Sequence, residues 1–393
     1  MGVCSGITLE QAIALARDSH PRLQAGSAQI EAARAGIITA KARPNPEVQT
    51  MAGYQYFRVP NNITGPMQAY AASQPLELGR LRPTRIEFAE RTRQSTEIAL
   101  TEIRLELLSA VRRAWFEALH FREQIAILNE NLRLVEELRQ KIQVRVEVGE
   151  AGRLELIRAE TEVATARNAV ATARLQYVSQ LSQLRATIGL PPDSDIDQQG
   201  ALENPPPLPP LAELRQQLLD RHPSLALARN EIRRADARLD YENALKRPQP
   251  SLRAEYERMP DVPNYRIGIS IPLPVFNRRE GPIAEAVALV KEAQAIANSR
   301  QLQLLAGLES AYGRYQTTTQ LLETYQRGVL VEAEAAVRAA QAAYQLGERG
   351  IVDVLDAQRA LRTVRLDFLN AQYDRQQALV DIDELRGIIP GVN

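Results

Sequence analysis

Two hydrophobic periods alternate along this chain. In one, apolar residues recur at spacings of three and four, as in Leu128, Leu132, Val135, Leu138, Ile142 and Val146. That spacing predicts a helix with a coiled-coil seam. In the other, apolar and polar residues strictly alternate. Tyr265, Ile267, Ile269 and Ile271 alternate with Arg266, Gly268 and Ser270, and Leu252, Ala254 and Tyr256 alternate with Arg253, Glu255 and Glu257. This pattern predicts strands with one apolar and one polar face. Earlier in the chain, Val48, Ala52, Tyr54 and Tyr56 share a face opposite Gln49 and Gln55, and a partner strand runs from about Met67 to Gln74. Prolines and small residues over Pro60–Pro66 and Pro260–Pro263 supply the turns. Each hairpin therefore has strands of about ten residues, long enough to cross a bilayer when tilted.

Helices flank both hairpins. Short ones are expected at Thr8–Arg17, with Thr8 and Glu10-Gln11 as a start signal, and at Leu211–Asp220. Longer ones follow at about Ser27–Ala42 and Ala226–Lys246. After each hairpin comes a long proline-free stretch, from Pro83 to Pro191 and from Pro282 to Pro390, punctuated by Gly149 and Gly347. The predicted pairs are Thr84–Val148 with Arg153–Ile188, and Ile283–Leu346 with Ile351–Arg386. The first of these helices is about 95 Å long at ~1.5 Å per residue. Alanines at 333, 336, 340 and 343 allow close approach of neighbours on both flanks.

The order of elements occurs twice. His20-Pro21-Arg22-Leu23 returns as His222-Pro223-Ser224-Leu225, and Arg43-Pro44-Asn45-Pro46 as Arg247-Pro248-Gln249-Pro250. Gln74-Pro75-Leu76 returns as Ile271-Pro272-Leu273, and Gly149-Glu150-Ala151-Gly152 as Gly347-Glu348-Arg349-Gly350. The chain reads as a duplication. The first repeat is 1–202, with a hairpin over about 47–76 and a helix pair over about 84–188. The second is 211–393, with a hairpin over about 251–274 and a helix pair over about 283–386. A proline-rich linker, 203–210, joins them.

Composition narrows the function. The 48 basic and 48 acidic residues among 393 cancel, which argues against nucleic acid as a partner. One cysteine and three histidines exclude a multi-cysteine zinc or iron–sulfur site and leave little for an imidazole site, so no metal centre and no cofactor is expected. No Gly-rich phosphate loop, nucleophile elbow or HExxH motif occurs, so the expectation is not an enzyme. No run of eighteen apolar residues marks a membrane helix, but membrane strands leave a weaker signal. Met1–Gly6 is too short for a signal peptide. Four membrane-length strands cannot close a barrel alone, and open edges in lipid leave backbone groups unsatisfied, so an oligomer that pools strands is expected.

Two segments carry a resemblance. Tyr344–Gln358 (YQLGERGIVDVLDAQ) is similar to the periplasmic tip motif of the TolC-type outer-membrane efflux proteins. Ile269–Ala286 (ISIPLPVFNRREGPIAEA), with Pro44-Asn45-Pro46-Glu47, resembles the CzcC-like heavy-metal branch of that family. The resemblance spans essentially the whole chain. It implies an α+β, mostly α fold: a homotrimer with a twelve-stranded outer-membrane β-barrel continued by a long periplasmic α-helical barrel. It also implies outer-membrane lipid, a periplasmic adaptor and an inner-membrane pump of the proton-driven RND type as partners. The expected function is the passive exit duct of a tripartite efflux system, exporting divalent heavy-metal cations and gated at the periplasmic tip. The alternatives are a duct for drugs or organic compounds and, further off, a soluble coiled-coil scaffold.

The resemblance assigns roles at the tip. Asp353 and Asp356, three apart on one helix face, stand where the family has carboxylate rings at the pore entrance. Their structural alternative is compensation of the helix dipole. Tyr344 and Arg349 stand at the family's gate positions, and alignment of the repeats places Glu155 opposite as the acidic partner expected for Arg349. Leu154 stands where a closed tip can use a polar residue, a departure from the family pattern. Gly149, Gly152, Gly347 and Gly350 form the tip turns, where the adaptor is expected to dock. His20 and His222 precede prolines and read as helix boundaries, His120 stands alone, and Trp115 and Phe116 read as packing. Tyr54, Tyr56, Tyr70 and Tyr265 are candidates for an interfacial aromatic belt or for packing within the hairpins. Cys4 is a candidate lipid-attachment residue, although Val3 departs from the small residue such a site needs and an inert cysteine is the favoured reading.

Overall fold

The computed structural model describes residues 6–56, 63–202 and 207–389, so Cys4 lies outside the described residues. In chain order the elements are α1 (Leu9–Ser19), α2 (Pro21–Lys41), β1 (Glu47–Gln55), β2 (Gly65–Pro75), α3 (Leu81–Glu147) and α4 (Arg153–Ile188). There follow α5 (Leu211–Arg221), α6 (Pro223–Leu245), β3 (Ser251–Arg258), β4 (Pro263–Ser270), α7 (Glu280–Thr324), α8 (Leu330–Gln345) and α9 (Ile351–Leu385). The start of α1 is a capping box in which Thr8 and Gln11 satisfy each other's backbone N–H. Both α2 and α6 begin earlier than expected, at Pro21 and Pro223. A proline in the first helical position gives up only an N–H that would have no helical partner. His20 marks the first of these boundaries, accepting the Arg22 N–H on Nδ1 at 3.1 Å.

One long helix differs from its expected form. The helix predicted over Ile283–Leu346 is interrupted by a π-helical turn, Tyr325–Val329, between α7 and α8. There the Leu330 N–H reaches back to the Tyr325 carbonyl, five residues away, so the helix is widened rather than broken. A periodicity of side chains does not register one such wider turn.

The chain forms two compact units that cut across the repeats. One comprises Met1–Gln24, Thr101–His222 and Gln301–Asn393, and the other Ala25–Leu100 and Pro223–Arg300. In the first, Ala12, Ile13 and Ala16 of α1 pack on Leu108, Val111, Trp115 and Ala118 of α3 and on Leu184 and Ile188 of α4. Trp115 is buried here, as packing. His120 hydrogen-bonds Asn370 at 2.8 Å and stacks on Tyr373. Ion pairs tie α3, α7 and α9: Arg112 to Asp383 at 2.9 Å, Arg113 to Asp381 at 3.0 Å, and Arg314 to Asp381 at 2.7 Å. The α8 alanines face their neighbours only in part. The buried line of that helix is Val337 and Tyr344, and Ala336 is exposed.

The second unit holds one antiparallel sheet in the order β1-β2-β3-β4, so the two hairpins join through β2 and β3. Its faces follow the alternation most closely in β3 and β4; in β1 and β2 the far side also carries Met51, Met67, Ala69 and Ala71. Val48, Thr50, Ala52 and Tyr54 of β1 line up with Gln68, Tyr70 and Ala72 of β2, Leu252, Ala254 and Tyr256 of β3, and Tyr265, Ile267 and Ile269 of β4. The other face carries Gln49, Ser73, Arg253, Glu255, Glu257 and Arg266. Tyr70, Tyr256 and Tyr265 form a cross-strand row, with ring centroids 6.3 and 5.0 Å apart. The apolar face lies open: Tyr265 is 77% and Ile267 83% exposed. Among the described residues, no helix is long and apolar enough to cross a membrane.

Candidate functional site

The ends of four helices in the first unit share a small apolar core. Leu138 and Ile142 of α3, Ala159 of α4, Tyr344 of α8 and Ile351, Val354 and Leu355 of α9 are buried together. The two turns beside this core are built alike. The Glu150 N–H reaches the Arg145 carbonyl at 2.8 Å and the Gly149 N–H the Val146 carbonyl at 3.1 Å. In the second repeat, Glu348 reaches Ala343 at 2.9 Å and Gly347 reaches Tyr344 at 3.1 Å. This is the Schellman closure, and it places Gly149 and Gly347 at φ of 81° and 77°, the left-handed region where a side chain is strained. Gly152 and Gly350 differ from the expectation. They sit at φ near −80° and −79°, as extended N-caps of α4 and α9, and need no left-handed freedom. The turns are flanked by exposed Val148, Leu154 and Leu346.

Tyr344 points its hydroxyl at Glu155 and donates to Oε2 at 3.0 Å. The Arg145 guanidinium lies over its ring, 4.9 Å from the centroid. Burial pushes the Tyr344 phenol above its ordinary range, and the bond to the Glu155 carboxylate adds to this. The expected pairing of Arg349 with Glu155 is not made within the chain. Glu155 is held by the tyrosine, while Arg349 is exposed and makes no ion pair among the described residues. The physical reason is position: Tyr344 lies in the last turn of α8, packed into the core, whereas Arg349 lies in the turn itself.

A second set of charges escaped sequence reading. Glu162 of α4 is 5% exposed. Arg359 of α9 donates to its Oε2 from Nε at 2.8 Å and from Nη2 at 2.5 Å, and Arg362 stands 3.7 Å from Oε1. The hydrogen bond to Glu162 is the main cause that holds the Arg359 guanidinium above its ordinary pKa. Arg359 also donates to Asp356 Oδ1 at 3.0 Å. Asp356 is thus compensated by a neighbouring cation, whereas Asp353 makes no ion pair among the described residues. A signal for Glu162 was present. It stands on the α4 line of Ala159, Val163, Ala166, Val170 and Ala173, where an acid is out of place unless paired. Among the described residues, no group of three His, Cys, Asp or Glu is placed to hold a metal ion.

Comparison with known proteins sets this geometry in a family. The outer membrane efflux protein family matches residues 12–190 and 214–387. The cobalt-zinc-cadmium resistance protein CzcC of Cupriavidus metallidurans is 29% identical over 385 residues, covering 97% of this chain and 90% of that protein. The nickel-cobalt-cadmium resistance protein NccC of Alcaligenes xylosoxydans xylosoxydans is 26% identical over 79% of this chain and 70% of its own length. In fold, the chain is similar to the outer-membrane channel OprN, with a TM-score of 0.83 at 19% identity over 96% of this chain and 89% of that one. The chain belongs to the outer membrane efflux protein family.

Proposed function

We propose that this outer membrane efflux protein is the exit duct of a tripartite pump for divalent heavy-metal cations, working as a homotrimer. The observation that carries the duct is the sheet. Among the described residues its apolar face lies open and its two outer strands, β1 and β4, have free edges. Lipid suits the face, and further copies suit the edges. Three chains give twelve strands in the outer membrane, with the long helices as the periplasmic conduit. The metal cargo rests on the likeness to a cobalt-zinc-cadmium resistance protein along nearly the full length. The duct is passive. The driving energy belongs to an inner-membrane pump, reached through a periplasmic adaptor that docks at the turns of Gly149, Gly152, Gly347 and Gly350, beside exposed Val148, Leu154 and Leu346.

The tip is the gate. In each chain the Tyr344–Glu155 bond and the Glu162–Arg359 pair hold α4 against the α8–α9 hairpin. Arg349, which makes no ion pair among the described residues of its own chain, is the group that reaches a neighbouring copy. Asp353 and Asp356 face the entrance, and such rings favour cations.

Single-channel recording in a planar bilayer tests this. A small, cation-preferring conductance is expected, rising when Arg349→Ala or Tyr344→Phe loosens the tip. Cation preference falls in the Asp353→Ala/Asp356→Ala double variant. Of the single changes, Asp353→Asn has the larger effect on reversal potential, because Asp356 is already compensated by Arg359. A soluble monomer that does not insert overturns the duct in favour of a coiled-coil scaffold. Insertion with unchanged conductance in every variant keeps the duct and removes the gate.

A further inference from the structure

The duplication makes one contact between repeats visible inside the chain, and that contact is a template for the contact between chains. Two motifs set the equivalence. Pro46 before β1 matches Pro250 before β3, and Gln74-Pro75-Leu76 after β2 matches Ile271-Pro272-Leu273 after β4. The hairpins provide a check. Carrying Thr50 opposite Tyr70 through these equivalences gives Ala254 opposite Ile267, and carrying Gly53 opposite Met67 gives Glu257 opposite Asn264. Both pairs occur in the second hairpin, as do all the others that can be carried across. The two motifs, independent of each other, thus agree with the observed registers.

The same step applies to the junction of β2 and β3, where Gln68 faces Arg258, Tyr70 faces Tyr256 and Ala72 faces Ala254. We infer that β4 of one chain pairs antiparallel with β1 of the next in this register: Tyr265 opposite Tyr54, Ile267 opposite Ala52, and Ile269 opposite Thr50. The inference rests on the reading of the chain as an oligomeric membrane duct, and adds to it which edges meet and at which residues.

Three observations favour this occupant and this register. Faces agree, because the paired residues all belong to the apolar side of the sheet. A slip by one residue sets that side against Gln49, Met51 and Gly53. Exposure differs between equivalent residues in the sense the template requires. Leu76, followed by the second repeat, is partly covered, and its N–H donates to the Pro250 carbonyl at 2.8 Å. Its equivalent Leu273 follows β4, beyond which the sheet has no strand among the described residues, and is 75% exposed. The tyrosine row of Tyr70, Tyr256 and Tyr265 ends at the free edge of β4, and Tyr54 of the next chain continues it. That continuation extends an aromatic belt across the boundary between chains.

Disulfide trapping tests the register in the full chain, in a Cys4→Ser background, expressed in a Gram-negative host and oxidised in isolated outer membranes. The registered pairs are Ala52→Cys with Ile267→Cys, and Gly53→Cys with Arg266→Cys. One of two successive antiparallel pairs is the close, non-hydrogen-bonded kind, and both separations suit a disulfide. The slipped pairs are Ala52→Cys with Ile269→Cys, and Ala52→Cys with Tyr265→Cys. The expected result is covalent dimer and trimer on a non-reducing gel for at least one registered pair, about tenfold above either slipped pair. Stronger linkage in a slipped pair overturns the register. So does no linkage in any pair while the protein is an oligomer in the membrane fraction, because the edges then meet elsewhere. A monomer absent from the membrane fraction is a separate result, which overturns the duct reading and this inference with it.

Discussion

The helix tip and the strand sheet use apolar residues in opposite ways. At the tip, Leu138, Ile142, Ile351, Val354 and Leu355 are buried within one chain, and Tyr344 with Glu155 and Arg359 with Glu162 are paired within that chain. In the sheet, Ile267, Ile269 and Tyr265 lie largely exposed within their own chain. Both regions show clean hydrophobic periodicity, so periodicity does not tell what an apolar face will meet. A helix face three or four residues wide finds partners on other helices of the same chain. Among the described residues this four-stranded sheet has two free edges, and neither of its faces is covered by a second layer. On the proposed reading its apolar side meets lipid and its edges meet other copies.

The largest test of this contrast is a charge in each setting. Ile267→Lys puts a cation on the lipid face, at about 2–4 kcal/mol near the bilayer midplane. The variant is expected to be depleted from the outer-membrane fraction, while the helical signal of whatever folds is unchanged. Normal membrane levels break the assignment of that face to lipid. At the tip the charge is already buried and matched. Glu162→Gln removes the acid from Arg359 and Arg362, and a charged hydrogen bond of this kind is worth about 1.5–3 kcal/mol. Arg359 is half exposed and can turn to solvent, so the low end applies. Insertion is expected to be normal, with a lower thermal midpoint of the helices and a higher single-channel conductance. An unchanged midpoint and conductance dismiss Glu162 as an anchor.

The smallest effect is one of pH. Burial, with Glu117 adding to it, pushes the Tyr373 phenol in α9 up to about 12, from an ordinary value of 10.0. Well below pH 10 the phenol is neutral in both folded and unfolded chains and contributes no pH dependence to stability. As pH rises from 10 toward 12, the unfolded chain ionises first and the folded helices lose stability. Helix ellipticity in denaturant, followed together with tyrosinate absorbance, reads this directly. A phenol that titrates near 10 in the folded protein removes the effect.

Much of this was legible from the residues. The capping box of Thr8 and Gln11, the glycines that end α3 and α8, the hairpins and the repeat all follow from local chemistry. The π-helical turn at Tyr325–Val329 was not, because one wider turn leaves the apolar stripe nearly intact. The left-handed role expected of all four tip glycines belongs to two of them, since a glycine before a helix and one after it look alike in sequence. The partner of Glu155 was misassigned for a related reason. Tyr344 and Arg349 lie five residues apart around one turn, and only the packing of α8 into the tip core brings the tyrosine into reach.

Local order, repeat and strand faces were therefore set by the chain itself, because helix caps, turn glycines and the period of two act between near neighbours. Which acid meets which base was decided by tertiary structure. Glu162 and Arg359 are far apart in sequence, and no periodicity links them. They meet because α4 and α9 pack side by side, which leaves a buried carboxylate that only a paired guanidinium can stabilise.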